Sequence, residues 1–296
     1  MANNQMQTIK ASQALTSSAY QNKMMETLQD PKRVQKFTNA VVTAIAQNRD
    51  LQECEPATVL SCALRGESLN LIHSPQMGQY YMVPFKNKKA GTKLATFILG
   101  YKGMIQLAKR SGQYKKINVL SLKKGELIKY DPLEEEIEAK LIENDTEREK
   151  AETIGYYAFF EEINGFRKAI YWSKEKMLAH ADNYSPAFNA INYQKLQDGK
   201  VAEEDMWKYS SYWYKDFDGM ARKTMLRQLI SKWGTMSIEL SNAIEADGMT
   251  INQDLNPSIE ESYEIEIEDT PTETSEMVNE KTGEVLDVEE VNIDEL

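Results

Sequence analysis

Two runs rich in aromatic and β-branched residues, Thr153 to Phe160 and Phe166 to Trp172, flank the pair Asn164-Gly165. Asn-Gly is the preferred centre of a type I′ turn, whose twist matches that of two antiparallel strands. At least one antiparallel hairpin is therefore fixed between residues 153 and 172. A two-residue loop would set Glu162 opposite Arg167 and Glu161 opposite Lys168, making those two cations cross-strand partners. A second strand pair is expected from Tyr80 to Phe85 and Leu94 to Leu99. Pro84 directs its first strand to an edge or a bulge. Between them the loop KNKKAGTK carries Lys86, Lys88, Lys89 and Lys93. It reads equally as a solvated tip or as a finger that grips phosphates.

Helices surround these strands. Asp30-Pro31 supplies an N-cap and a first-turn proline. Val34, Phe37, Val41, Val42 and Ile45 follow at helical spacing, and a shorter helix is expected from Pro56 to about Arg65. Residues 1–30 read as a helical arm for subunit contact or as a loosely ordered terminus. Residues 114–130 read as one or two strands, residues 131–152 as a charged connection, and Lys174 to His180 as a short helix. Residues 181–206 read as a long, partly ordered excursion. The fold class is α+β: a helical N-terminal region, then antiparallel hairpins packed with helices over residues 31–249.

The net charge of −11 conceals an asymmetry. From residue 250 onward there are 16 acidic residues against the single Lys281, so the preceding body carries a mild positive excess. With Pro257, Pro271 and little apolar content, residues 250–296 are expected to be a disordered acidic tail. That tail reads equally as a solubilising appendage or as a segment that recruits a partner or competes for the body's cations. No apolar run approaches the ~20 residues needed to cross a bilayer, and the N-terminus lacks a secretory apolar segment. Two cysteines are too few for a disulfide framework, and with two histidines they argue against a zinc site. A cytoplasmic protein without a cofactor is expected.

Two basic helical blocks carry the functional signal. GYKGMIQLAKRSG places Tyr101, Met104, Ile105 and Ala108 on one helical face. Lys102, Gln106, Lys109, Arg110 and Gln113 lie on the other, and no acidic residue occurs between Tyr101 and Gly125. The second block, DFDGMARKTMLRQLISKWG, follows six aromatics: Trp207, Tyr209, Tyr212, Trp213, Tyr214 and Phe217. Leu226, Leu229, Ile230 and Trp233 form its apolar stripe, and Arg222 stands one turn upstream on that same stripe. A cation there must pair with an acid in the fold or face a charged ligand. Aromatics beside fixed cations, with Lys215 among them, suit a single strand held by stacking and charge.

Catalytic patterns are missing: neither a G-x-x-x-x-G-K-[ST] loop nor a G-x-S-x-G elbow is present. Asp216 and Asp218 read as helix-terminal supports. The alternative is a metal-dependent nuclease recruiting Glu203, Glu204 or Asp205.

The two blocks, the QYYMVPF strand and their order resemble the RecT family of phage-encoded single-strand annealing proteins, over roughly residues 30–240. The resemblance implies ATP-independent binding of single-stranded DNA and pairing with a complementary strand. It implies a homo-oligomeric ring or filament, in which subunits extend one basic DNA-binding groove. Partners would be a phage exonuclease and the host single-strand-binding protein, with no membrane involved. By motif, Lys102, Lys109, Arg110, Arg222, Lys223 and Arg227 are implied in the groove. Lys215, Lys86, Lys88, Trp213 and Tyr214 are the further DNA-binding candidates. A passive single-strand binder is the other reading of the same residues.

Overall fold

A computed structural model describes residues 10–74, 76–87, 91–134, 136–185, 187–253 and 260–263. The helical N-terminal region comprises α1 (Ala11–Leu15), α2 (Ser18–Leu28), α3 (Pro31–Gln47) and α4 (Pro56–Ser68). Asp30 caps α3, its carboxylate accepting the Lys32 N–H at 2.8 Å, and Pro31 occupies the first helical position. The segment read as an arm buries Ala11, Leu15, Met24 and Leu28 against this chain's own α3 and α4.

β1 (Tyr80–Asn87) and β2 (Thr92–Leu99) pair antiparallel, with Pro84 opposite Ala95 in a two-stranded sheet. Lys88 lies outside the described residues. Helix α5 (Tyr101–Arg110) follows β2 directly, and Gly112 ends it in the left-handed conformation at φ 69°. β3 (Tyr114–Lys123) then enters a three-stranded antiparallel sheet of order β3-β6-β7, formed with β6 (Thr153–Glu162) and β7 (Arg167–Ser173).

Between β3 and β6 the chain departs from expectation. The connection contains a hairpin, β4 (Leu127–Asp131) with β5 (Glu136–Ala139), and a helix α6 (Asp145–Lys150). Glu126 ties it down. Its fully buried carboxylate accepts Arg148 Nε at 2.6 Å, the Lys123 N–H at 2.8 Å and the Ile142 N–H at 3.1 Å. Burial opposes ionisation of Glu126, but these donors outweigh it and hold the carboxyl below its ordinary pKa.

The β6–β7 register also differs from the one read from Asn164-Gly165. Glu161 faces Arg167 and Phe160 faces Lys168, one residue out from the expected pairing. A type I′ turn needs positive φ at both central residues, but only Gly165 adopts it, at φ 89°. The loop is therefore three residues long, closed by Gly165 N–H to the Glu162 carbonyl at 3.0 Å. Arg167 pairs with Glu161 at 2.7 Å, while the Lys168 ammonium sits 3.4 Å from the Trp233 ring centroid.

The excursion after β7 is mostly helical. α7 (Lys174–Tyr184), α8 (Ala190–Gln197) and a 3-10 helix Glu203–Tyr209 lead to α9 (Tyr212–Lys215), α10 (Phe217–Trp233) and α11 (Ile238–Glu245). In the segment expected to be a disordered tail, 250–296, β8 (Thr250–Gln253) pairs with β9 (Glu260–Tyr263), and residues 254–259 and 264–296 lie outside the described residues. Just before β8, Gly248 N–H and the Phe97 carbonyl bond at 2.9 Å, seating the chain on β2.

Two apolar clusters divide the interior, and α10 serves both. Leu226 and Ile230 join the N-terminal helices, β1, β2 and α5, whereas Met225 and Leu229 join Tyr156, Phe160, Phe188 and Trp213. Each such fully buried side chain contributes about 1.5–3 kcal/mol. The fold is α+β, and α10 is fixed from both sides.

Candidate nucleic-acid interface

The site is assembled where the N-terminal end of α5 meets α10. In GYKGM the two glycines are needed because another backbone runs against them. A Cβ on Gly100 would collide with the Gly78 carbonyl oxygen, and one on Gly103 with that of Gln79. The Gly100 N–H donates to the Gln79 carbonyl at 2.8 Å, locking the turn to the helix. Gly78 takes φ 61°, and the point where its Cβ would stand is 3.1 Å from the Tyr81 hydroxyl and 3.5 Å from Lys102 Cδ. Tyr81 and the Lys102 stem thus flank one turn, and among the described residues the exposed Lys102 ammonium makes a single long 3.5 Å contact, to the Gln76 carbonyl.

On α10 the two aspartates have separate structural tasks. Asp216 caps the helix, accepting the Gly219 N–H at 2.9 Å. Asp218 accepts Thr153 Oγ1 and Tyr156 Oη, each at 2.7 Å, which ties the first turn to β6. Arg222, one turn further on, is half-buried and forms no hydrogen bond or ion pair with any described residue. Burial lifts the Tyr101 phenol above its ordinary pKa, and the Arg222 cation opposes that rise. The same cation acts on Tyr156, which burial and the Asp218 hydrogen bond push far above the phenol range. α10 packs on both α5 and β6, and the Arg222 charge acts on one tyrosine from each.

Lys223 and Arg227 are placed differently. Asp247, whose side chain is only 5% exposed, stands 3.7 Å from Lys223 Nζ and 3.8 Å from Arg227 Nη1. Its other oxygen accepts the Leu99 N–H at 2.8 Å, joining both cations to the end of β2. Arg110 is also engaged: its guanidinium donates to the Leu69 and Asn70 carbonyls at 2.7 and 2.6 Å, closing the C-terminal end of α4. Lys109 is exposed on the far end of α5, and Lys86 is exposed opposite Lys93, which pairs with Asp50 and Glu53.

Trp213 and Tyr214 are buried in this chain's own fold. Both pack with Phe188 in the second cluster, and the Tyr214 hydroxyl accepts the Asn189 N–H at 2.8 Å. Their ring faces are used inside the fold and offer no platform for a base. Tyr212 and Lys215, three residues apart on α9, point outward instead. Sequence reading assigned no role to Tyr81, Tyr101 or Asp247. Tyr101 had been read only as part of an apolar face, and the tyrosine in GYKGM was the available signal.

An arginine with no ion pair among the described residues and an exposed lysine on α5, with tyrosines nearby, can hold a phosphate and a neighbouring base. Among the described residues no group of three or more acids, histidines or cysteines is placed to hold a metal, and no helix is long and apolar enough to cross a membrane.

The RecT family model matches residues 35–266, which include β1, α5 and all of α10. The chain belongs to the RecT family. The uncharacterized protein YqaK of Bacillus subtilis (strain 168) is 34% identical over 263 residues, 88% of this chain and 81% of YqaK. Protein RecT of Escherichia coli (strain K12) is 26% identical over 220 residues, 72% of this chain and 71% of that protein. RecT family membership supports DNA binding and a place in strand annealing and recombination.

Proposed function

We propose that the chain binds single-stranded DNA along α5 and the first half of α10 and anneals it to a complementary strand without ATP. The observation that carries this reading is Arg222, a half-buried guanidinium with no acid within ion-pairing distance among the described residues. A charge withdrawn from water without a counter-charge is costly, and a phosphate entering the site would offset that cost. Lys102 and Lys215 are exposed cations suited to the neighbouring phosphates, with Lys109 and Lys86 extending the path. Cations that grip phosphates leave base edges free, and Watson–Crick pairing then supplies specificity with no bond made or broken. Assembly into a homo-oligomeric ring or filament would join such sites into one groove. An exonuclease would supply the single strands, and a single-strand-binding protein would hand them over.

Asp216 and Asp218 count against the nuclease alternative, since one caps α10 and the other accepts two hydroxyls. The test is renaturation of two complementary labelled oligonucleotides with purified full-length protein and no nucleotide. The expected result is acceleration over the spontaneous rate, lost in Arg222→Ala and unaffected by added ATP. Binding without acceleration would leave a passive single-strand binder, and cleavage of the labelled strands in Mg²⁺ would leave a nuclease.

A further inference from the structure

Two aromatic side chains of the Trp207–Phe217 segment are strongly exposed, Trp207 at 71% and Tyr212 at 69%, and each has a lysine over its ring. Their charge settings are opposite. Trp207 lies in a 3-10 helix that opens with Glu203, Glu204 and Asp205, and its lysine, Lys208, already pairs with Asp205 at 2.8 Å. A strand approaching Trp207 meets three carboxylates and a neutralised cation. Tyr212 opens α9, where Ser211 caps the helix and Lys215 lies 5.9 Å from the ring centroid with no ion pair among the described residues.

The backbone beneath Tyr212 is anchored by the two residues that follow it. Trp213 and Tyr214 insert into the second apolar cluster, so α9 is held while Tyr212 and Lys215 remain outside. A stacking ring on a fixed turn loses little conformational freedom when a base settles on it. Burial lifts the Tyr81 phenol above its ordinary pKa, and Tyr212 adds to that rise. Tyr81 in turn lies beside Gly78 and the Lys102 stem. The exposed ring is flanked by the Lys215 ammonium 5.9 Å from its centroid, within reach of a phosphate beside a stacked base.

We propose that Tyr212 is the base-stacking platform of this chain, receiving an unpaired nucleobase of a single strand while Lys215 holds a flanking phosphate. This rests on the strand-binding reading above and adds the residue that meets the base. Stacking does not depend on base identity, as annealing of arbitrary sequences requires. It also discriminates between two equally exposed aromatics, selecting Tyr212 and rejecting Trp207.

The test uses full-length protein and fluorescence anisotropy with two labelled strands of equal length, a mixed-sequence oligonucleotide and an abasic deoxyribose-phosphate strand. One stacked base is worth roughly 5- to 150-fold in affinity, so wild-type protein is expected to prefer the base-bearing strand by about tenfold or more. In Tyr212→Ala that preference should collapse, through loss on the base-bearing strand with abasic affinity unchanged. Tyr212→Phe and Trp207→Ala should both keep it. The platform is overturned if Tyr212→Ala leaves the preference intact, if it weakens both strands alike, or if Trp207→Ala removes the preference instead. It is equally overturned if Tyr212→Ala changes only the size of the assembly, which would make the ring a contact between subunits. Failure of wild-type protein to bind either strand would overturn the strand-binding reading itself.

Discussion

The Asp247 carboxylate lies 3.7 Å from the Lys223 ammonium, and both side chains are largely withdrawn from solvent. The same carboxylate faces Arg227 and accepts the Leu99 N–H, so one acid joins α10 to the end of β2. Asp247→Asn keeps an acceptor for Leu99 but removes the carboxylate charge that faces Lys223 and Arg227. Removing one partner of a fully buried pair costs ~3–5 kcal/mol. Because these cations are 18% and 24% exposed, a loss of roughly 1–3 kcal/mol is expected. A lower urea midpoint would register it, with single-strand affinity at low salt undiminished or raised as Lys223 is released.

Gly103→Ala provides a test whose sign is informative. By helix propensity alone, alanine in α5 should stabilise by about 1 kcal/mol. The new methyl would instead meet the Gln79 carbonyl oxygen, which the tight turn at Gly78 cannot withdraw. A net loss of roughly 1–3 kcal/mol is expected from such overpacking. Thermal unfolding of the variant decides between the two, and stabilisation would mean that the turn does not hold this position.

Glu161 predicts a pH dependence. Hydrogen bonds from Lys115 and Arg167 lower its pKa to about 2, against an opposing rise from burial. A carboxylate whose folded pKa lies below its unfolded value contributes stability that is fully present above the unfolded value, about 4.3. That contribution is lost as pH falls from there toward about 2. In Glu161→Gln, acid unfolding should therefore be less steep across this window than in the wild type. Matching slopes in an acid titration followed by circular dichroism would count against the pairing.

The boundaries governed by local chemistry were legible in the residues. Asp30-Pro31 announces the start of α3, Gly112 the end of α5, and the strands about Asn164-Gly165 their own pairing. The register slipped because the Asn-Gly pair alone cannot say whether the asparagine also adopts positive φ. Residues 131–152 and 181–206 read as loops because their short elements are held by distant partners, as Arg148 is by Glu126. The interface was half legible. Helical spacing puts Lys102 on a polar face and Arg222 on an apolar stripe without saying whether Arg222 meets an acid. Three consecutive aromatics on α9 carry no local sign of which two are buried. Asp247 lies 20 residues or more beyond the cations it serves, so no spacing rule connects them.

The cations of the second block should not be equivalent. Lys223 and Arg227 are shared with Asp247, whereas Arg222 is withdrawn from solvent with no acid at hand among the described residues. A phosphate must compete with a carboxylate for the first two but not for the third. For single strands, each phosphate contact contributes about 0.7 to the slope of log affinity against log salt. Arg222→Ala should reduce that slope by about this amount and slow annealing in step, at unchanged fold stability or better, since a half-buried charge is removed. Lys223→Ala should change the slope by less, and should cost stability because buried Asp247 loses one of its two facing cations. Binding isotherms at several salt concentrations, read beside urea unfolding of the same two variants, separate the roles. If Lys223→Ala flattened the slope more than Arg222→Ala, the phosphate would sit on the Asp247 side of α10 and the Arg222 side would not be the strand's path.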